Sequence, residues 1–400
     1  MRILQLCHKP PRPSTDGGCR AMDALTRGLI ASGEHEIKVL TAATAKHPFL
    51  ADKMDADYLQ ATNIESVHLD TRLNKLDALS NLVTGDSYNI TRFFSLDFEN
   101  ILTDILRKTA FDVVIFESLF TAPYLRTVRK FCDGSVILRA HNIEHRIWKH
   151  LARETKPLTK RIYLRWLADR LEEYEINIMS DFDCIAAISE DDKRHFEELG
   201  CTVPVHVLPF GLDSAELPPA SHGPVDHIFH LGAMDWRPNI QGIDWFIGNV
   251  WPLVMQQMPS AKLCLAGRNF PKDVPWKQVA NIEILGEVAN AWDMMTGEGI
   301  MIIPLLSGSG MRIKAIEAMA GGRPVVSTTI GMEGIEGNDR EHFHLADSPE
   351  EFAGRIVEIL SNPEEAEAIG ERSRAFVLEH FENQSLVNRL LHELEHSETL

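Results

Sequence analysis

Short apolar runs bounded by glycine or proline alternate along this chain with longer stretches whose apolar residues recur every three or four positions. The first run, residues 2–7, predicts a buried strand. Pro10, Pro11 and Pro13 stiffen the loop after it, which ends at Asp16-Gly17-Gly18. Residues 19–32 predict a helix with Met22, Leu25, Leu29 and Ile30 on its apolar side; Gly33 ends it, and residues 36–41 predict the next strand. Further strands are expected at 111–116, ending at Glu117, and at 135–139, 183–188 and 205–208. Helices are expected at 98–108 and through a long zone up to about residue 179, with Ser189-Glu190-Asp191 capping the next one. Strand, glycine loop, helix, strand is the opening of a doubly wound α/β domain, whose ligands sit at the carboxyl ends of the strands. There is no GxGxxG, so the nicotinamide fingerprint is absent, but Gly17 and Gly18 belong at that crevice.

Residues 214–226, SAELPPASHGPVD, read as a linker. A second series follows: strand 228–231, helix 240–257, strands 262–266 and 282–285, then strand 300–306, helix 311–320 and strand 325–328. Helices at 352–360, 366–379 and 385–396 close the chain. The fold expected is α/β, with two Rossmann-like doubly wound domains facing across a cleft, a favoured place for a ligand.

The chemistry concentrates in 300–329. Gly308-Ser309-Gly310 frees the backbone to turn, and the helix after it offers unpaired N–H groups and the positive end of its dipole, an anion site. Arg312 and Lys314 stand where the dipole disfavours cations unless an anion is near. Glu317, three residues on, lies on nearly the same face and suits ribose hydroxyls. The structural alternative is a glycine-turned βαβ unit with a surface Lys–Glu pair. A second candidate is the polar run Ala140-His141-Asn142-Ile143-Glu144-His145, just past a strand end.

Composition narrows the options. At 44% apolar and 24% charged residues the chain is ordinary for a soluble protein, and no run approaches a membrane span. The net charge of −18 argues against nucleic acid as a partner. Residues 211–400 hold 13 Lys and Arg against 28 Asp and Glu, whereas residues 1–210 are near balance, with 27 against 30. Within the first half, 139–170 carries nine basic and three acidic residues with Trp148, Tyr163 and Trp166 between them. That pattern suits peripheral contact with an anionic membrane or acceptor, or else a solvated helix face. The opening residues carry no secretory signal, and the six cysteines form no CxxC, so reduced thiols and a cytoplasmic chain, either free or peripheral at the inner face of the plasma membrane, are expected. Asp181-Phe182-Asp183 and Asp55-Ala56-Asp57 match a DxD metal motif only superficially, and no metal site is expected.

Taken in order, Gly17-Gly18-Cys19-Arg20, Ala140–Glu144, Ala187-Ile188-Ser189-Glu190, Pro209–Asp213, Gly232–Asn239, Pro304–Lys314 and Glu317–Val326 resemble the large retaining glycosyltransferase family four, whose members share the GT-B fold. The resemblance spans almost the whole chain. It implies an acceptor-binding domain at 1–213, the linker 214–226, a nucleotide-sugar domain at 227–378, and a helix at 379–400 that crosses back to the first domain.

By the same resemblance Glu317 holds the ribose, while Arg312 and Lys314, with amides near Gly310 and Met311, hold the diphosphate. Gly286-Glu287-Val288 meets the base through backbone, Gly17 and Gly18 lie near the phosphates, and His141 lies near the sugar. Arg237 and Asn239 fall in the same site. Two departures stand out: Ser309 replaces the first of two glutamates that have seven residues between them, a Gly-Ser-Gly variant, and Met234 replaces an arginine. The implied activity is metal-independent transfer, with retention, from a nucleotide-diphosphate sugar to a glycan, lipid-linked or small-molecule acceptor, with no other cofactor. A nucleotide-sugar 2-epimerase and a non-catalytic nucleotide-sugar-binding subunit are the alternatives.

Overall fold

The computed structural model describes residues 1–14, 16–71, 87–219, 225–271, 273–297, 299–308 and 310–397. Ser309, and residues 220–224 of the expected linker, lie outside the described residues. By contacts the chain divides into two units, Met1–Gly211 with Asn383–Leu400, and Leu212–Glu382.

The first unit is built on a parallel sheet of β1 (Arg2–Cys7), β2 (Glu36–Ala43), β3 (Glu65–His68), β4 (Val113–Glu117), β5 (Ser135–Ala140), β6 (Cys184–Ala187) and β7 (Val205–Val207). Their order across the sheet is β3-β2-β1-β4-β5-β6-β7. The chain winds outward from β1 to β3, returns beside β1 as β4, and winds the other way, so the topological switch point falls between β1 and β4. Strands covered on both faces need continuous apolar runs, which is why Val113 to Phe116 are all buried. The register aligns Cys7 with Glu117 and Glu117 with Arg139, so these three residues form one row across the carboxyl ends of β1, β4 and β5.

One face of this sheet is covered by the helix Gly17–Ala31 and by the last helix, Asn383–Ser397. Leu386, Val387, Leu390 and Leu394 of the latter pack with Met22, Leu25 and Leu29. Gly28 permits the approach: a Cβ there would sit 2.6 Å from the Val387 Cγ2. The long helical zone is two helices, Glu144–Glu154 and Leu158–Met179, because Pro157 disfavours a helical residue before it. Asp183 plays a structural part. It accepts the Val136 N–H at 2.6 Å and both Arg129 terminal nitrogens at 2.9 Å.

The second unit carries β8 (His227–Leu231), β9 (Leu263–Ala266), β10 (Ile282–Gly286), β11 (Gly299–Ile303), β12 (Val325–Ser327) and β13 (His344–Leu345), in the order β10-β9-β8-β11-β12-β13. Its switch point lies between β8 and β11. The helix expected over 240–257 is interrupted by a wide turn at Phe246–Val250, between Arg237–Trp245 and Trp251–Gln257. Pro252, which has no N–H to donate, opens the second piece. The sequence-based expectation of two doubly wound parallel sheets is met by this architecture.

Candidate functional site

Each unit gathers polar side chains at its own switch point. In the first unit the centre is Glu117, fully buried at the end of β4. Its carboxylate accepts from Gln5 Nε2 at 2.7 Å and from His141 Nε2 at 2.6 Å, with Arg139 Nη1 at 3.4 Å. Gln5 is in turn fixed by Thr26 Oγ1 at 2.7 Å, and Arg139 Nη1 also donates to Ala21 O at 2.8 Å. Burial pushes the Glu117 carboxyl up, but Arg139, the His141 hydrogen bond and Gln5 outweigh it and hold it at about 2. An ionised Glu117 accepts only, so Nε2 of His141 carries the proton and Nδ1 keeps its lone pair. Burial keeps that imidazole neutral, because it lowers the His141 pKa further than Glu117 raises it. His8 lies alongside, its ring centroid 6.2 Å from that of His141, and burial drives its pKa down to about 3.

The turn after β5 leads into a second buried group. Glu175 caps the helix Glu144–Glu154 from the side, accepting the N–H of Glu144 at 3.2 Å and of His145 at 3.3 Å, and His145 Nδ1 at 2.7 Å. Glu144 is buried beside it. Burial first, and the Glu175 charge second, raise the Glu144 carboxyl to about 8. Gly17 and Gly18 begin the helix Gly17–Ala31, but its N-terminus is occupied by the chain's own Asp16, which accepts Cys19 N at 2.9 Å, Lys9 Nζ at 2.7 Å and His47 Nε2 at 3.0 Å.

In the second unit the centre is a cation. After β11 the chain passes Gly308 and Gly310, at φ +131° and +80°, backbone that side-chain-bearing residues rarely adopt. The helix then starts at Ile313, two residues later than its pattern suggests, because Arg312 is still extended. Arg312 therefore stands at the helix entrance. Its guanidinium lies 5.5 Å from the Trp236 ring centroid, bonds to Gly310 O, and lies 3.8 Å from Glu333 Oε2. Lys314 follows within the first turn. Its ammonium donates to Asn239 Oδ1 at 2.9 Å and lies 3.4 Å from His230 Nε2. Among the described residues no carboxylate comes within ion-pair distance of Lys314. Burial first, and Arg312 second, lower the Lys314 pKa to about 7. Such a site is short of an anion.

Thus Arg312, Lys314, Asn239 and Gly310 are brought together. Glu317 is buried one turn further on, and Met311 is half-buried at the entrance. No hydrogen bond among the described residues ties Arg237, Glu287 or Val288 to this cluster. Arg237 and Glu287 are exposed, and Gly286 ends β10 at φ +71°. Met234 is packed into the core of its unit. Sequence reasoning assigned no role to His230, Gln5 or Glu117, took Trp236 only as part of a matching motif, and counted Arg139 only in the basic segment 139–170. A signal existed for two of them: His230 interrupts an apolar strand, and Glu117 ends one. Among the described residues no group of three or more His, Cys, Asp or Glu is placed to hold a metal ion.

Comparison with known proteins adds three findings. Residues 226–362 match the family described as Glycosyl transferases group 1. A Klebsiella pneumoniae protein described as an uncharacterized 44.6 kDa protein in the cps region is 26% identical over 412 residues, covering 98% of this chain and 99% of that one. Among solved structures, a sucrose-phosphate synthase from Thermosynechococcus elongatus superposes with a TM-score of 0.72 at 14% identity, over 99% of both chains. HepE of Anabaena in complex with UDP gives 0.67 at 13% identity, over 99% of this chain and 100% of that one. The fold is GT-B.

Proposed function

We propose that this chain is a glycosyltransferase that moves a sugar, with retention at the anomeric carbon, from a nucleoside-diphosphate sugar to a glycan or lipid-linked acceptor. The observation that carries the reading is the Lys314 ammonium, held by neutral acceptors beside Arg312 at a helix entrance on the switch point of the second sheet. Leaving-group departure places charge on a diphosphate. Cations already fixed in direction, next to a helix N-terminus, stabilise that charge without reorganising. The family matched by residues 226–362, and the UDP bound by HepE, support the same donor class. The cps-region relative favours a polysaccharide acceptor.

In this reading Arg312 and Lys314 hold the diphosphate, the backbone at Gly310 and Met311 adds N–H donors, and Glu317 takes the ribose hydroxyls. The departing phosphate takes the acceptor proton, so no pair of glycosidase carboxylates is needed. His141, fixed by Glu117, presents a neutral imidazole to the sugar. Transfer is metal-independent and survives chelation by EDTA. The chain works in the cytoplasm.

Contact with an anionic membrane narrows to the start of the helix Leu158–Met179. Arg139 is buried against Glu117, whereas Leu158 and Ile162 are about 60% exposed beside Lys156, Lys160 and Arg161. Co-sedimentation with phosphatidylglycerol vesicles that vanishes at high salt is expected. No binding at low salt ends that part.

The main test is a thermal-shift screen of the full chain against UDP, GDP, ADP, CDP and dTDP and their sugars. One nucleotide series is expected to raise the melting temperature by mass action, and Glu317→Ala to abolish the rise. No shift with any of them overturns the reading.

A further inference from the structure

His230 is fully buried in the central strand of the second sheet, where an apolar residue is the default. Its Nδ1 lies 2.9 Å from the Ile302 carbonyl oxygen. A carbonyl accepts only, so Nδ1 carries the proton, and the neutral ring has its lone pair on Nε2. That lone pair lies 3.4 Å from Lys314 Nζ. Asn239 is oriented the same way: its Nδ2 donates to Ala233 O at 2.8 Å, which leaves Oδ1 to accept from Lys314 at 2.9 Å.

We propose that His230 is a positioning residue for the bound diphosphate: its Nε2, with Asn239 Oδ1, aims the Lys314 ammonium while leaving its charge unneutralised. The proposal rests on the reading of Lys314 as the cation that meets the diphosphate. An ammonium has three donors. Two go to neutral acceptors whose directions are set by backbone carbonyls, and the third is left for the anion. A carboxylate at either position would hold Lys314 as firmly but would cancel the charge the ligand needs.

Among the described residues, the charged and titratable groups that face the ammonium are few. His230 comes from β8 and is kept neutral by burial and by Lys314 itself. Arg312 comes from the turn before the helix, and Glu333 lies against Arg312. With an anion absent, burial and Arg312 both disfavour the charged lysine. Nucleotide affinity therefore falls as pH rises through neutrality, and an acceptor that favours the ammonium moves that fall to higher pH.

His230 also has a structural bond. The β8–β11 register ends at Phe229 and Met301, and the imidazole serves the next carbonyl, Ile302. Two substitutions separate the roles. In His230→Asn the amide nitrogen can replace Nδ1, but nothing reaches the place of Nε2. In His230→Gln the longer amide can place an acceptor there, with the bond to Ile302 lost.

The experiment is calorimetric titration of the full chain with UDP, GDP and ADP at pH 6.5 and 8.5, in wild type, both His230 variants and Lys314→Met. His230→Asn is expected to bind the preferred nucleotide about tenfold more weakly than wild type, with its loss of affinity displaced to lower pH. His230→Gln should bind more tightly than His230→Asn and keep the wild-type pH profile. Equal affinities in the two variants, or tighter binding by His230→Asn, overturn the proposal and leave His230 a structural residue. If Lys314→Met binds like wild type, or no nucleotide binds wild type, the diphosphate reading beneath the proposal falls as well.

Discussion

The two switch points solve opposite charge problems. In the first unit a buried carboxylate, Glu117, is surrounded by Gln5, Arg139 and His141, so its charge is answered within the chain. In the second unit a cation, Lys314, is held by Asn239 and His230, which orient it without answering its charge. Even the helix entrances differ. Asp16 fills the one beside β1, whereas Arg312 and Lys314 crowd the one after β11. A charge satisfied internally is structure, and a charge left unanswered in a fixed direction is a binding site. On that contrast, removing the central charge should cost stability in the first unit and activity in the second.

The largest effect is expected at Glu117. Glu117→Ala leaves Arg139 buried without its carboxylate, a loss of about 3–5 kcal/mol of stability. Urea titration of the full chain, followed by hydrogen exchange in β4 and β5, measures it. A change under about 1 kcal/mol would mean that the network is not what holds that sheet end together.

Lys314→Met makes the opposite trade. The thioether chain fills the volume of the lysine stem, and a desolvated cation disappears, so the melting temperature should hold or rise. Turnover of the nucleotide sugar should fall by about 10²–10³, the usual consequence of losing one preorganised donor to a developing negative charge. A variant that loses stability and keeps turnover would reverse the assignment of the two sites.

What was legible in the sequence follows the same division. The second site's helix, glycine turn and cations lie within one stretch of about thirty residues, so periodicity and turn chemistry exposed them together. Of its acceptors, Asn239 entered only through the family resemblance and His230 did not enter at all. His230 and Asn239 reach Lys314 from the first strand and helix of the unit, and only the β8–β11 adjacency brings them there. Of the first network only His141, in the polar run past β5, was singled out; Gln5, Thr26, Glu117 and Arg139 come from four separate elements joined by register. Strand runs survived translation into structure because a strand covered on both faces admits few polar residues. Helix starts shifted where local backbone chemistry intervened, as at Arg312, which is extended behind two glycines of positive φ.

The smallest effect tests the contrast through protons. Glu144 has its carboxyl raised from an ordinary 4.5 to about 8 by burial and then by Glu175. Between those values the folded first unit keeps a proton that the unfolded chain has released, so its stability falls as pH rises, by at most about 1.4 kcal/mol per pH unit. Lys314 runs the other way. Its folded pKa is lowered from 10.5 to about 7 by burial and then by Arg312, so above pH 7 the unfolded chain holds the extra proton, and the second unit gains stability up to about pH 10.5. From pH 7 to 8 the two slopes therefore oppose each other. Hydrogen exchange corrected for intrinsic rates should show protection decreasing in β5 and increasing in β11 over that interval. Glu144→Gln should flatten the first trend alone, and Lys314→Met the second alone. Parallel trends in the two strands would mean that one of these groups carries its ordinary charge in the folded chain, and the variant that leaves the slope untouched identifies which.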